Sequence, residues 1–231
     1  MKMKNPFLPF LGGLLLLSLF TVSCGKDDDN PVQTKLVADF SSEASLEWNQ
    51  TFHEVERYAA GYRPGPAPRA LALMGLAAYE ACITGMPDYN SMESRYTSSG
   101  LNIPDVDPKA EYHWPTVVHS IYANMMPKFF VDVPADVQTK ITALTAQLDS
   151  KFLTEAADQE LFDRSKAYGE SVGEAMWAWS KTDTYGDNAY KNPFGNFNTN
   201  EEYDWTAHYT GAGDWEPTTP GPGKGMGASI C

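Results

Sequence analysis

The run Ala70-Leu71-Ala72-Leu73-Met74-Gly75-Leu76-Ala77-Ala78 constrains this chain more than any other stretch. Wound into a helix it is apolar around the whole circumference, and a helix of that kind has to be covered on every side. The expectation is a helix from near Pro68 to Thr84, buried in the middle of a domain and stopped by Gly85 and Pro87. Glu80 is its only acid. A carboxylate in such a place must be paired or protonated, and an internal partner such as Arg57 or Arg69 is expected.

Other segments supply helices to surround it. Trp48, Phe52, Val55 and Ala59 follow one another at spacings of four, three and four, the mark of an amphipathic helix that ends in the Gly- and Pro-rich run Gly61 to Pro68. A loop rich in Ser, Asn, Pro and Asp then reaches about Asp107. Pro108 suits a first helical turn, so the third helix is read from there to Met126, broken near Pro115, with Pro127 and Pro134 bracketing the next connection. Between 135 and 152, Val137, Ile141, Leu144 and Leu148 form one stripe, and Asp136, Lys140, Gln147 and Lys151 serve the other face. Thr154 is read as the cap of a last helix carrying Leu161, Tyr168, Val172, Met176 and Trp179 inward as far as about Lys181. Gly169 and Gly173, four apart, would let another helix approach closely. The fold class expected is all-α, a bundle of about five helices over residues 45–182.

After Thr182 the texture changes. Residues 183–231 hold eight glycines and the aromatics Tyr185, Tyr190, Phe194, Phe197, Tyr203, Trp205, Tyr209 and Trp215 without a sustained period. A long irregular segment of this kind either binds something or packs on something. If it binds, Tyr190, Trp205, Tyr209 and Trp215 are the candidate ligand contacts. Aromatics also bury large apolar areas, and core packing is the plainer reading of the same residues.

The opposite end has its own pattern. Lys2 and Lys4 precede an apolar stretch from Phe7 to Val22, which Pro9 and Gly12-Gly13 interrupt, and Ser23-Cys24 then meets Gly25-Lys26-Asp27-Asp28-Asp29. Basic, apolar and small residues in that order read as a signal peptide over residues 1–23. The apolar run falls short of the roughly 18 to 20 unbroken residues of a membrane span. Ser23-Cys24 resembles a bacterial lipobox, with Thr21 where leucine is preferred. Cys24 is then the lipid attachment site, residues 24–44 are a polar tether, and the protein is anchored to the membrane through acyl chains. The location implied is the bacterial cell envelope. Lys26-Asp27-Asp28-Asp29 is either an acidic signal for export to the outer face or a solvated tether.

Charge narrows the partners. The chain carries a net −13, and without Lys2 and Lys4 its 15 basic residues stand against 30 acidic ones, a net of −15. No nucleic-acid partner is expected for such a surface. Of three cysteines, Cys24 is the presumed lipid site, Cys82 falls in an apolar helix and Cys231 is terminal, so neither a disulfide framework nor a zinc knuckle follows. Among His53, His113, His119 and His208 only His113 and His119 are near each other. Their spacing of six is not a one-face helical spacing, and no metal site is expected. Asn196, Asn198 and Asn200 lack the glycine and closing glutamate of a calcium loop. Glu201 and Glu202 read as a solvated pair. No phosphate loop, serine elbow or dinucleotide fingerprint is present.

Trp48-Asn49, the stretch Pro68-Arg69-Ala70 through Tyr79-Glu80-Ala81, and Gly211-x-Gly213-x-Trp215-Glu216-Pro217-Thr218-Thr219-Pro220 together resemble the N-terminal half of bacterial vanadium-dependent haloperoxidase-like proteins, in the type 2 phosphatidic acid phosphatase (PAP2) superfamily. The likeness spans roughly residues 45–225. It implies a helical N-terminal part packed on a second part that holds vanadate or phosphate and acts on a small anionic substrate. The family pattern there is K-x6-R-P, then P-S-G-H, then S-R-x5-H, in which cations hold the oxyanion and histidines serve as ligand or nucleophile and as acid and base.

None of these elements is complete in this sequence. Arg63-Pro64 has Glu56 at the lysine position, Ser94-Arg95 has Leu101 at the histidine position, and Pro-Ser-Gly-His does not occur. Cys231 arrives soon after the Trp-x-Pro-Thr element. The expectation is therefore a truncated scaffold without catalytic residues of its own, whose full-length relatives would peroxidise halides or hydrolyse phosphate esters. The other expectation is a cell-surface lipoprotein that binds a glycan or protein through its aromatic tail.

Overall fold

The computed structural model describes residues 35–63, 65–183 and 186–187. Cys24, Tyr190, Trp205, Tyr209 and Trp215 lie outside them, as do the signal, most of the tether and nearly all of the irregular segment. The described residues form five α-helices, α1 Glu43–Glu56, α2 Pro66–Cys82, α3 Trp114–Phe129, α4 Ala135–Ala156 and α5 Gln159–Ser180, with short 3-10 turns and no strand among them. The all-helical class is as expected.

The helix at the centre is α3, not α2. Trp114, Val117, His119, Ser120, Ile121, Tyr122, Met125, Met126 and Phe129 of α3 are all buried, and α3 packs against each of the other four helices. Only Lys128, at its end, carries a full charge, so little opposes burial along its length. Reading the helix from Pro108 with a break at Pro115 hid this. Residues 108–113 are not helical, and Pro115 sits in the first turn, where no backbone donor is lost. Pro127 does not end α3 but is absorbed in its last turn.

In α2 one side is buried, through Ala67, Ala70, Leu73, Met74, Ala77, Ala78 and Ala81, while Leu71, Gly75, Leu76 and Tyr79 are half-buried and Ala72 is exposed. A methyl group added at Gly75 would meet nothing within 4 Å. Uniform apolarity there does not bring uniform cover.

The stripe on α4 is buried as its spacing requires, with Phe152 extending it. Thr154 does not cap α5. It lies inside α4, and its hydroxyl donates to the Ser150 carbonyl at 2.9 Å. The chain turns through Ala157 in the left-handed region (φ 56°), and the Asp158 carboxylate accepts from the backbone N–H of Glu160 and Leu161 at 2.8 and 3.2 Å. Along α5 Phe162 is buried, while Leu161 and Trp179 are half-buried. Gly169 and Gly173 do serve close packing: a methyl at Gly169 would strike the Val117 carbonyl oxygen, and one at Gly173 would come within 2.9 Å of Asn124 Oδ1.

Residues 86–112 lack long helices yet are held in place by side chains. Glu80 is buried and paired with neither arginine. Its carboxylate accepts from the Ser91 hydroxyl and the Met92 backbone N–H, both at 2.7 Å. Glu93 accepts from the Ile103 N–H at 2.7 Å, and the Trp179 indole donates to the Ser99 carbonyl at 3.1 Å. The buried carboxylate is thus a splint for a loop whose contacts lie 11 and 12 residues downstream, a reach that no helical period reveals.

Candidate functional site

Two polar clusters stand out in the helical body. The first joins four helices. The Trp48 indole N–H on α1 donates to Nδ1 of His119 on α3 at 3.0 Å, and the two rings stack at 5.7 Å. With Nδ1 accepting, the ring proton resides on Nε2, which faces Asp149 Oδ1 on α4 at 3.2 Å. Lys166 on α5 approaches both oxygens of the same carboxylate at 2.9 and 2.8 Å. A cleft of about 260 Å³ opens beside them, lined also by Ser120, Asn124, Thr145 and Glu170.

This arrangement fixes His119 rather than freeing it for catalysis. Burial pushes its imidazole down to about 4, and the neighbouring Asp149 only partly opposes that. Protonating Nδ1 would set an N–H against the Trp48 N–H. Both nitrogens are engaged, so the ring holds no lone pair for a substrate proton.

His113 is buried too, with Nδ1 2.7 Å from the Thr116 hydroxyl and its ring against Phe40 and Phe152. Burial first, and the Lys35 charge second, hold it down at about 4. Phe152 packs against both histidines, at 5.9 and 5.7 Å, and serves as a shared apolar wall. Among the described residues no group of three His, Cys, Asp or Glu side chains is placed to hold a metal. Cys82 is buried, and burial pushes its thiol up to about 12, which leaves it inert.

The second cluster is a groove of about 200 Å³ where the start of α2 meets the ends of α3 and α5. Arg69, Lys128 and Lys181 bring cations to it, and Tyr62, Pro66, Phe129, Val131 and Trp177 give it an apolar floor. The Lys128 and Lys181 ammonium groups lie 5.9 and 4.8 Å from the Trp177 ring centre. Arg69 Nε is 2.9 Å from Asp183 Oδ2 and its Nη2 donates to the Ser180 carbonyl at 2.7 Å, while Lys181 is 3.1 Å from Asp187. Gly186 permits this turn, since a methyl there would run into Arg69 Nε and the Asp183 carboxylate. Sequence reasoning missed the groove. Its one signal was an arginine inside the apolar stretch that opens α2.

The residues matching fragments of the family motifs do not assemble an oxyanion pocket. Glu56 is buried, and both its oxygens accept from the Arg63 guanidinium, so the arginine of Arg63-Pro64 is already neutralised by the residue at the lysine position. Ser94-Arg95 lies in an exposed 3-10 turn, and Leu101 is buried. Vanadate would need a histidine beside converging cations. In the described body His119 has both ring nitrogens turned to other partners, His113 has Nδ1 turned to Thr116, and neither lies beside converging cations, so these residues do not fit the group.

Fold and site define a helical bundle with a histidine-centred polar core and an aromatic groove rimmed by ion pairs. Comparison with known proteins finds no matching family model, no matching curated protein and no matching solved structure. Among the described residues no helix is long and apolar enough to cross a membrane.

Proposed function

We propose that this chain is a lipoprotein attached through Cys24 to the bacterial cell envelope, and that its helical body is a non-catalytic scaffold of the vanadium haloperoxidase-like, PAP2-type architecture. The observation that carries the reading is the open side of α2. Leu71, Leu76 and Tyr79 are only half-buried on a helix that is apolar all round, and Gly75 faces open space. A scaffold presents such a face to a further layer of structure. In this reading the oxyanion chemistry, with vanadate or phosphate, belongs to residues outside the described body. The engagement of His119 by Trp48 and Asp149, and of Arg63 by Glu56, supports the same division of labour.

Purified full-length chain should neither hydrolyse p-nitrophenyl phosphate nor oxidise bromide with peroxide, with or without added vanadate. Either activity, retained in His113→Ala and His119→Ala variants or lost in them, would show that the chain carries its own chemistry. Labelled fatty acid should enter the wild type and not Cys24→Ala, and unlabelled wild type would remove the anchor from the account. The other reading, a surface receptor for glycan or protein using Tyr190, Trp205, Tyr209 and Trp215, gains if soluble glycans bind and alanine at those positions abolishes the binding.

A further inference from the structure

We propose that the groove between the start of α2 and the ends of α3 and α5 is a binding site for a small organic anion, a carboxylate or phosphate joined to a flat apolar group. The proposal does not depend on the scaffold reading. It concerns binding without turnover, so either can fail alone.

Charge is the first argument. In a chain of net −13, anions are repelled by most of the surface, whereas here three cations gathered from separate helices are each answered by one carboxylate, Asp183, Glu174 and Asp187, which leaves the groove close to neutral. They do not meet by sequence proximity: Arg69, Lys128 and Lys181 come from the first turn of α2, the last turn of α3 and the residue after α5.

The floor is the second argument. Trp177 has the two ammonium groups 5.9 and 4.8 Å from its ring centre and meets Phe129 edge-on at 5.1 Å, with Tyr62, Pro66 and Val131 alongside. Val131 is 52% exposed. An inorganic anion makes no use of such a surface, whereas a ring carrying an acid group would use floor and cations together.

The third argument is that carboxylates already occupy the cations. Asp183 sits on Arg69 and Asp187 on Lys181, both from the turn that follows α5, and Glu174 of α5 sits on Lys128. Side-chain exposures of 22 and 36% for the first pair and 42 and 25% for the second place them in contact with solvent, where such pairs are weak and exchange readily. The two aspartates thus act as internal competitors. They mark the geometry a ligand carboxylate would take, and removing them should favour the ligand.

The test uses the full chain in detergent, with phenyl phosphate, benzoate and inorganic phosphate as probes, read by the NMR shift of the Trp177 indole N–H assigned through Trp177→Phe. Phenyl phosphate and benzoate should both shift that resonance and saturate, and inorganic phosphate should bind at least roughly tenfold more weakly than phenyl phosphate. Arg69→Gln and Lys181→Gln should each weaken binding by roughly tenfold. The double variant Asp183→Asn, Asp187→Asn should tighten it severalfold, an effect that disturbed folding would not produce. The proposal is overturned if neither aromatic probe shifts Trp177 at millimolar concentration in the wild type or the double variant. It is equally overturned if binding is indifferent to Arg69 and Lys181.

Discussion

Trp48 and His119 form a directional lock at the centre of the bundle, the indole N–H pointing at Nδ1 from 3.0 Å while the rings lie 5.7 Å apart. The indole fixes the tautomer, and the tautomer fixes what Asp149 sees. A chain of three partners thereby ties α1, α3 and α4 together through one imidazole.

Replacing Trp48 by Phe should release Nδ1. The side chain loses volume as well as its donor, at a cost of about 1–3 kcal/mol in urea unfolding. The His119 imidazole, no longer opposed by the indole N–H and still beside Asp149, should titrate higher than its present value of about 4. Histidine NMR titration of the variant reads the shift, and an unmoved resonance would show that burial alone sets it.

Acid should destabilise the fold through the two buried histidines. Each is held at about 4, against an ordinary value near 6.5, so between those limits the unfolded chain binds protons that the folded chain refuses. Stability is therefore whole above pH of about 6.5 and falls as pH drops toward about 4, by roughly 3 kcal/mol at most for each histidine. Urea midpoints measured over that window should decline, and His119→Gln should flatten the slope. A midpoint constant across the window would contradict the burial argument.

Two glycines should answer alanine with opposite signs. At Gly169 the new methyl meets the Val117 carbonyl and comes within 2.8 Å of Ser120 Cβ, so α5 must back away from α3 at a cost of about 2 kcal/mol or more. At Gly75, in open space within α2, alanine should stabilise by about 0.5–1 kcal/mol through helix propensity. Thermal melts of the two variants should move apart. Equal shifts would mean that α3 and α5 are not in such close contact.

Glu80→Ala should loosen residues 86–107 before it unfolds the bundle. The Ser91 hydroxyl and Met92 N–H lose their acceptor, worth about 1–3 kcal/mol. Limited proteolysis should cut the variant first within that loop while α1 to α5 persist. Cleavage spread evenly over the chain would show Glu80 to be a core residue and not a splint.

What was legible in the sequence was the set of stripes. Val137, Ile141, Leu144 and Leu148 are buried on α4, and the spacing of Gly169 and Gly173 foretold a close helix contact. Apolarity alone misplaced the centre, because Leu71, Gly75, Leu76 and Tyr79 of α2 sit half-open while α3 buries His119 by pairing it with Trp48 and Asp149. Capping misled at Thr154, because the left-handed turn at Ala157 sets the boundary and Asp158 caps α5. The partners of Glu56 and Glu80 were illegible because they lie where the chain folds back after each helix, at Arg63 and at Ser91 and Met92, and those of His119 because they depend on which helices meet. The groove at Trp177 was missed for the same reason: its cations come from three ends that only the fold unites.

The central claim is that the helical body is scaffold to a second, anion-binding part of the haloperoxidase-like architecture. The most direct measurement is a read of the nucleotides following codon 231 in all three frames. The account predicts a Pro-Ser-Gly-His element and a later Ser-Arg-x5-His encoded there. Unrelated sequence after a confirmed stop, with no such element at the locus, would contradict it and leave the surface-binding reading as the one to pursue.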